Sequence, residues 1–168
     1  MPEPGPWPFD IVLRYQIERW RQSVALDADG QVVVLDGDPF KLYYHWAERR
    51  VGALTGPDWL ATVDVTRRHF IEGDYGLADL VLYSDPGAEA LRVRKEADPT
   101  RSRRNFERNT AMRPFFRQWY EAVGALDQRR VVWEHPPDGL AEHLLAIGPR
   151  PSRGDPQLFD DLLRSLPA

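Results

Sequence analysis

The sequence contains no cysteine, and only Lys41 and Lys95 among its 22 basic residues are lysines. The absence of cysteine excludes disulfide bonds, thiolate zinc ligands and cysteine nucleophiles, and it is typical of a reducing compartment. No apolar run approaches the length that spans a membrane, and the proline-rich start lacks the features of a secretory signal. We therefore expect a cytoplasmic protein with no membrane partner.

The common sequence motifs of catalysis and cofactor binding are also missing. There is no glycine-rich phosphate loop and no dinucleotide-binding fingerprint, and no serine lies in a nucleophile-elbow context. The sequence therefore indicates no particular cofactor and names no reaction.

The length and composition are those of an ordinary globular domain. The chain has 168 residues, of which 42% are hydrophobic and 29% are charged, enough to bury a substantial core. We expect a single domain over residues 1–168, with a proline-rich arm over 1–8 and a C-terminal tail with a short helix over 148–168.

Apolar residues at alternate positions predict a sheet. From Phe9 to Ile17 the apolar residues fall on every second position, although a helical spacing through Leu13, Ile17, Trp20 and Val24 competes with this interpretation. The same alternation, or a β-branched run, predicts further strands over 31–35, 58–71, 77–83, 90–96 and 130–134.

Helical spacing predicts a helix over 39–54, preceded by Asp38 as N-cap, and a long helix from Arg103 to Leu126 with a kink or break at Pro114. Shorter helices are predicted over 138–147 and after Asp155. The fold class predicted from this order is α+β, with a mainly antiparallel twisted sheet of about six strands, helices packed on one face and a helical C-terminus.

Positive charge is concentrated in one segment. The net charge is −4, but residues 92–117 hold nine basic and three acidic residues, a local excess of 9 − 3 = +6. On a strand, Arg92 and Arg94 would project from the same face. The predicted anion-binding residues are Arg92, Arg94, Lys95, Arg101, Arg103, Arg104 and Arg108. This pattern favours a phosphorylated or polyanionic ligand such as nucleic acid, although a salt-bridged, solvated face is the commoner use of such residues.

The order of helix 39–54, three strands through residue 96, a helix and strand 130–134 resembles the core of the PD-(D/E)xK nuclease family. The sequence around Asp79 is similar to the aspartate strand of that family, and Lys95 lies where its lysine is expected. Val93 stands where the family has a second metal-binding acid. The resemblance therefore implies a degenerate nuclease-like domain with Asp79 and Lys95 as residual site residues.

A second hypothesis is a small-molecule or metal-dependent enzyme with a pocket between helix 39–54 and the sheet. Its acid/base residues would be His45, Asp64, His69 and Glu72. On a strand, however, Asp64 and His69 would face opposite sides, and histidines are more often surface or core residues, so no defined metal site is predicted.

A third hypothesis is a protein-interaction module. Phe115, Phe116, Trp119 and Tyr120 follow a helical spacing that core packing explains most simply, but the same face could support a homodimer.

Overall fold

The computed structural model describes residues 9–97, 106–134 and 151–167. These residues contain six α-helices, two short strands and one 3₁₀ turn. In chain order they are α1 (Phe9–Ala28), α2 (Leu42–Arg50), α3 (Gly56–Glu72), β1 (Val81–Tyr83), α4 (Ala88–Ala97), α5 (Phe106–Leu126), β2 (Val131–Trp133), the 3₁₀ turn (Pro151–Gly154) and α6 (Pro156–Ser165).

The predicted α+β fold with a six-stranded antiparallel sheet is wrong. In the described residues the sheet has two strands of three residues, and they pair in parallel with Val81 opposite Val131. The segments predicted as strands over 9–17, 58–71 and 90–96 lie in helices, and residues 31–35 form no regular structure. The predicted arm over 1–8 and the helix over 138–147 lie outside the described residues.

The first helix shows why alternation misled the prediction. Leu13 and Ile17 are buried, but Ile11 and Tyr15, which belong to the same alternating series, are 48% and 63% exposed. The buried face continues to Trp20, at the spacing of four and three residues that defines one side of a helix. The competing helical interpretation of this segment is therefore confirmed.

Helix α3 begins and ends with clear signals in the sequence. Thr55 is the N-cap and accepts a hydrogen bond from the backbone N–H of Asp58, with Pro57 in the first turn. Gly73 ends the helix in the left-handed conformation, at φ 75°. An N-cap and a left-handed glycine at the C-terminus are features of helix ends and not of strands. They therefore indicate a helix here, although the apolar residues between them alternate.

Several predicted elements are confirmed with adjusted bounds. Helix α2 lies inside the predicted 39–54 segment, and α6 follows Asp155, whose side chain accepts a hydrogen bond from the Gln157 N–H. The strand predicted at 130–134 is β2, which pairs with β1 after the chain has passed through α4 and α5.

A kink or a break was predicted at Pro114; the break does not occur, since α5 is one helix from Phe106 to Leu126. Pro114 lies on the exposed side of the helix, where solvent can satisfy the carbonyl that loses its helical donor.

The core is centred on Phe40, which is 0% exposed. Its ring contacts those of Phe70, Tyr75, Trp119 and Phe159 at centroid distances of 5.5, 5.2, 6.2 and 6.3 Å. These residues belong to α3, the segment after α3, α5 and α6. One ring therefore connects three helices that are distant in sequence. None of the helices in the described residues is both long enough and apolar enough to cross a membrane.

A bidentate ion pair joins α3 to α6. Asp160 accepts hydrogen bonds from Arg67 Nε and Nη2 at 2.9 and 2.7 Å, and this hydrogen bonding lowers the pKa of Asp160. Because the folded-state pKa is lower than the unfolded one, the pair stabilises the fold above the unfolded pKa. That stabilisation is lost as the pH falls through the folded pKa.

We expect Asp160→Asn to lower the urea midpoint at pH 7, and we expect its difference from the parent protein to shrink in acid as the Asp160 carboxyl group of the parent is protonated. Urea unfolding followed by circular dichroism at pH 7, 5 and about 3 measures this difference. Asp161→Asn is the matched control, because the partners of Asp161 are Gln157 and Arg164 within α6 itself. A midpoint difference between Asp160→Asn and the parent that does not change with pH would contradict the assignment.

Candidate functional site: a tyrosine-lined cleft beside the two-stranded sheet

A cleft of about 950 Å³ lies between α2, α5 and the end of β1. Residues from β1 and from the turn that follows it, Val81 to Pro86, form one side. Leu91 of α4 also lines the cleft.

Six of the residues that line the cleft are aromatic, and four of these are tyrosines. We call this site the tyrosine cleft, after the aromatic residues Tyr43, Tyr44, Tyr83, Phe106, Phe116 and Tyr120. Tyr43 and Tyr44 come from α2, whereas Phe116 and Tyr120 lie one turn apart on α5. The packing of α2 against α5 therefore brings these four rings together.

The rings form a continuous wall. Tyr120 contacts Tyr43 and Tyr83 at centroid distances of 5.5 and 5.2 Å, and Tyr43 contacts Phe116 at 5.3 Å. The stacked pair Tyr44 and Phe116, at 5.8 Å, extends the wall. Such ring pairs stabilise one another beyond the area they bury, so the wall is preorganised.

Asp38 supplies a carboxyl group to this wall. Its Oδ1 accepts a hydrogen bond from the Phe40 N–H at 2.8 Å, and its Oδ2 accepts one from the Tyr120 hydroxyl at 2.9 Å. Burial raises the pKa of Asp38, although these two hydrogen bonds and the positive charges of Lys41 and Arg19 partly oppose the rise. Carboxyl groups with such raised values are often found at functional sites.

The turn that carries Asp38 is fixed by buried contacts. The Tyr75 hydroxyl donates to the Pro39 carbonyl oxygen at 2.5 Å and accepts from the Lys41 N–H at 3.2 Å. Phe40, between them, fills the core. The position of the Asp38 carboxyl group is therefore set by core packing.

Lys41 lies at the edge of the site. Its Nζ is 3.3 Å from the Tyr43 hydroxyl oxygen, and a Cβ atom added at Gly37 would lie 3.6 Å from it. Burial lowers the pKa of Lys41, and the nearby Asp38 partly opposes that effect.

Helix α5 also contributes polar groups to the tyrosine cleft. Arg113 forms an ion pair with Asp85, in the turn after β1. Asn109 accepts a hydrogen bond from the Tyr44 hydroxyl at 3.0 Å. Burial raises the pKa of Tyr43, Tyr83 and Tyr120, so their hydroxyl groups remain neutral hydrogen-bonding groups near pH 7.

The predicted anion-binding residues do not lie on one strand face. Arg92, Arg94 and Lys95 are on helix α4, so Arg92 and Arg94 point about 200° apart and the prediction that they share a face is wrong. Lys95 pairs with Glu107 at 3.4 Å, and Arg108 pairs with Glu48 at 3.6 Å. Both Arg92 and Arg94 are exposed. Arg101, Arg103 and Arg104 lie outside the described residues, and anion binding by this segment stays a prediction.

The two residues of the nuclease-like hypothesis have separate surroundings. Asp79 accepts a hydrogen bond from Arg153 at 3.0 Å, and Arg153 also binds Asp27. Lys95 contacts the Phe106 ring and Glu107. The three strands on which the resemblance depended are one strand, β1, and two helices, α3 and α4.

The predicted acid/base residues fall into three places. His69 Nδ1 lies 3.0 Å from Asp74 and 3.5 Å from Glu72, at the end of α3, and one ligand atom of each residue lies within 4.8 Å of the others. Arg21 binds Asp74 at 2.6 Å. His45 pairs with Glu48 on α2, and the exposed Asp64 pairs with Arg68. The described structure therefore brings His69 and Glu72 together, but neither His45 nor Asp64 joins them.

The tyrosine cleft does lie between the predicted 39–54 helix and the sheet, but none of the predicted acid/base residues lines it. Its residues were assigned to core packing because their helical spacing is that of any buried face. The one signal in the sequence was chemical: Tyr43, Tyr44 and Tyr120 carry hydroxyl groups that a purely apolar face does not need.

Comparisons of the chain with protein-family models, with curated proteins and with solved structures gave no match.

Proposed function

We propose that this protein binds a small organic molecule in the tyrosine cleft. The observation that carries the proposal is the combination of size and lining: about 950 Å³ of concave space, lined by six aromatic rings and by polar side chains that include Asp38, Asn109 and Arg113. Sites for drug-sized ligands have volumes of roughly 300–1,000 Å³ and this kind of lining.

The polar groups support orientation of a ligand. Asp38 comes from the turn before α2, whereas Asn109 and Arg113 come from α5, and each is held by a named partner. A ligand that is flat and apolar at one end would stack on the rings, and its polar end would meet one of these groups. Preorganised rings and fixed polar groups reduce the entropy lost on binding.

A substitution that fills the tyrosine cleft tests the proposal. Thr110 lines the cleft, whereas its neighbour Ala111 is exposed and does not. We expect Thr110→Trp to weaken the binding of small aromatic compounds at least about tenfold, because the indole would occupy the ligand's space. Ala111→Trp, the matched control on the same helix, should bind them like the parent protein.

The measurement is ligand-observed NMR with a panel of small neutral, cationic and anionic aromatic compounds, followed by titration of each compound that binds. Equal affinities in Thr110→Trp and Ala111→Trp would place binding elsewhere. A panel in which no compound binds the parent protein would refute the proposal.

A further inference from the structure

The charges at the tyrosine cleft leave one carboxyl group without an ion-pair partner. Arg113 and Asp85 neutralise each other, and Arg108, which approaches the Tyr44 hydroxyl at 3.4 Å, is held by Glu48. Asp38 forms no ion pair in the described part of the chain. Its two hydrogen bonds use one acceptor position on each oxygen, and a carboxylate offers about four such positions. Asp38 can therefore accept further donors from a ligand.

Rings of the tyrosine cleft already contact ammonium groups. Lys41 Nζ lies 5.4 Å from the centroid of the Tyr43 ring, and Lys95 Nζ lies 4.2 Å from that of Phe106. These are the only two lysines in the chain. Each ammonium group therefore lies within the range of about 6 Å at which a cation is attracted to an aromatic face.

We propose that the ligand of the tyrosine cleft is an organic cation, whose ammonium group lies beside Asp38 and against the rings of Tyr43, Tyr83 and Tyr120. The inference rests on the proposed small-molecule function of the same cleft. A carboxylate beside several electron-rich rings is complementary to an alkylated ammonium group. The carboxylate supplies the countercharge, and the rings replace the weak hydration of the ammonium group.

With this arrangement, the affinity for the cation should depend on pH. A cation binds the ionised form of Asp38, whose pKa is raised by burial, so its affinity should fall as the pH falls through that pKa. The charged groups that face Asp38 are Lys41 in its own turn and Arg19 of α1, and Tyr120 of α5 is hydrogen-bonded to it. Asp38 is the group expected to titrate, because a cation binds its ionised form.

The experiment compares choline with 3,3-dimethylbutan-1-ol, the uncharged molecule of the same shape in which carbon replaces nitrogen. Calorimetric titration of the full chain should show choline binding at least about tenfold more tightly. Asp38→Asn should remove most of that preference and its pH dependence. Asp36→Asn is the matched control, because it removes the same charge from an exposed position two residues away.

Each outcome decides between the hypotheses. Equal affinity for the two molecules in the parent protein would overturn the cation inference. An equal loss of choline affinity in Asp38→Asn and Asp36→Asn would also overturn it. If neutral or anionic aromatic compounds bind and Thr110→Trp blocks them while choline does not bind, the small-molecule function stands and the cation inference fails. If no compound binds, both fail. The comparison within the parent protein needs no variant, so it stands even if Asp38→Asn does not fold.

Discussion

Replacing Phe40 by alanine is expected to lower the free energy of unfolding by about 4 kcal/mol, the usual range for a fully buried phenylalanine. The Phe40 ring is 0% exposed and contacts four other rings from α3, α5, α6 and the segment after α3. These helices cannot all move inward to close the cavity. The turn at Asp38, two residues earlier, would also lose its anchor, so ligand binding in the tyrosine cleft should weaken.

Chemical denaturation monitored by tryptophan fluorescence measures this effect. Leu60→Ala is the control, because Leu60 is 67% exposed and surface substitutions usually change stability by about 0.5 kcal/mol or less. A loss of less than about 1 kcal/mol in Phe40→Ala would show that Phe40 is not the centre of the core.

Gly76→Ala is the second substitution with a large expected effect. We expect it to lower the free energy of unfolding by about 3 kcal/mol. A Cβ atom at Gly76 would lie 2.5 Å from the Arg153 carbonyl oxygen and 2.7 Å from Cζ2 of Trp20. The same carbonyl accepts a hydrogen bond from the Leu77 N–H at 2.8 Å. The added methyl group must therefore displace either this backbone hydrogen bond or a buried tryptophan.

The matched control for Gly76→Ala is Gly124→Ala. A Cβ atom at Gly124 would meet only Val131, at 3.7 Å, which is an ordinary contact. Gly124 is inside α5, where alanine is favoured over glycine by up to about 1 kcal/mol. The two substitutions should therefore change the unfolding midpoint in opposite directions. A shift of the same sign and size in both would show that the close approach at Gly76 can relax.

The elements that could be predicted were those whose local signals agreed. Helix α6 has an N-cap at Asp155, a proline after it and apolar residues at helical spacing, and helix α5 has a helical pattern that tolerates Pro114 because the proline faces solvent. Helices α1 and α3 were predicted as strands because apolar residues two apart also occur on a helix when some of them are exposed. Burial distinguishes the two cases, and burial is a property of the tertiary structure.

The candidate site was less predictable than the fold elements. Asp38 was predicted as the N-cap of the 39–54 helix, but that helix begins later and its N-cap position is Lys41. Nothing local indicates that Asp38 accepts a hydrogen bond from Tyr120, 82 residues away. The predicted arginine cluster was clear as composition, but the ion pairs of Lys95 and Arg108 depend on Glu107 and on Glu48 of another helix.

By itself the sequence determined the capping signals, the turns at glycine and proline, the absence of cysteine chemistry and the places where charge and aromatic residues are concentrated. These depend on residues close together in the chain, whose effects on the backbone are local. Only the tertiary structure decided which apolar residues are buried, that the two strands pair in parallel, and that tyrosines from α2, β1 and α5 surround one carboxyl group. Those outcomes depend on contacts between distant segments, and a linear pattern does not specify which segments meet.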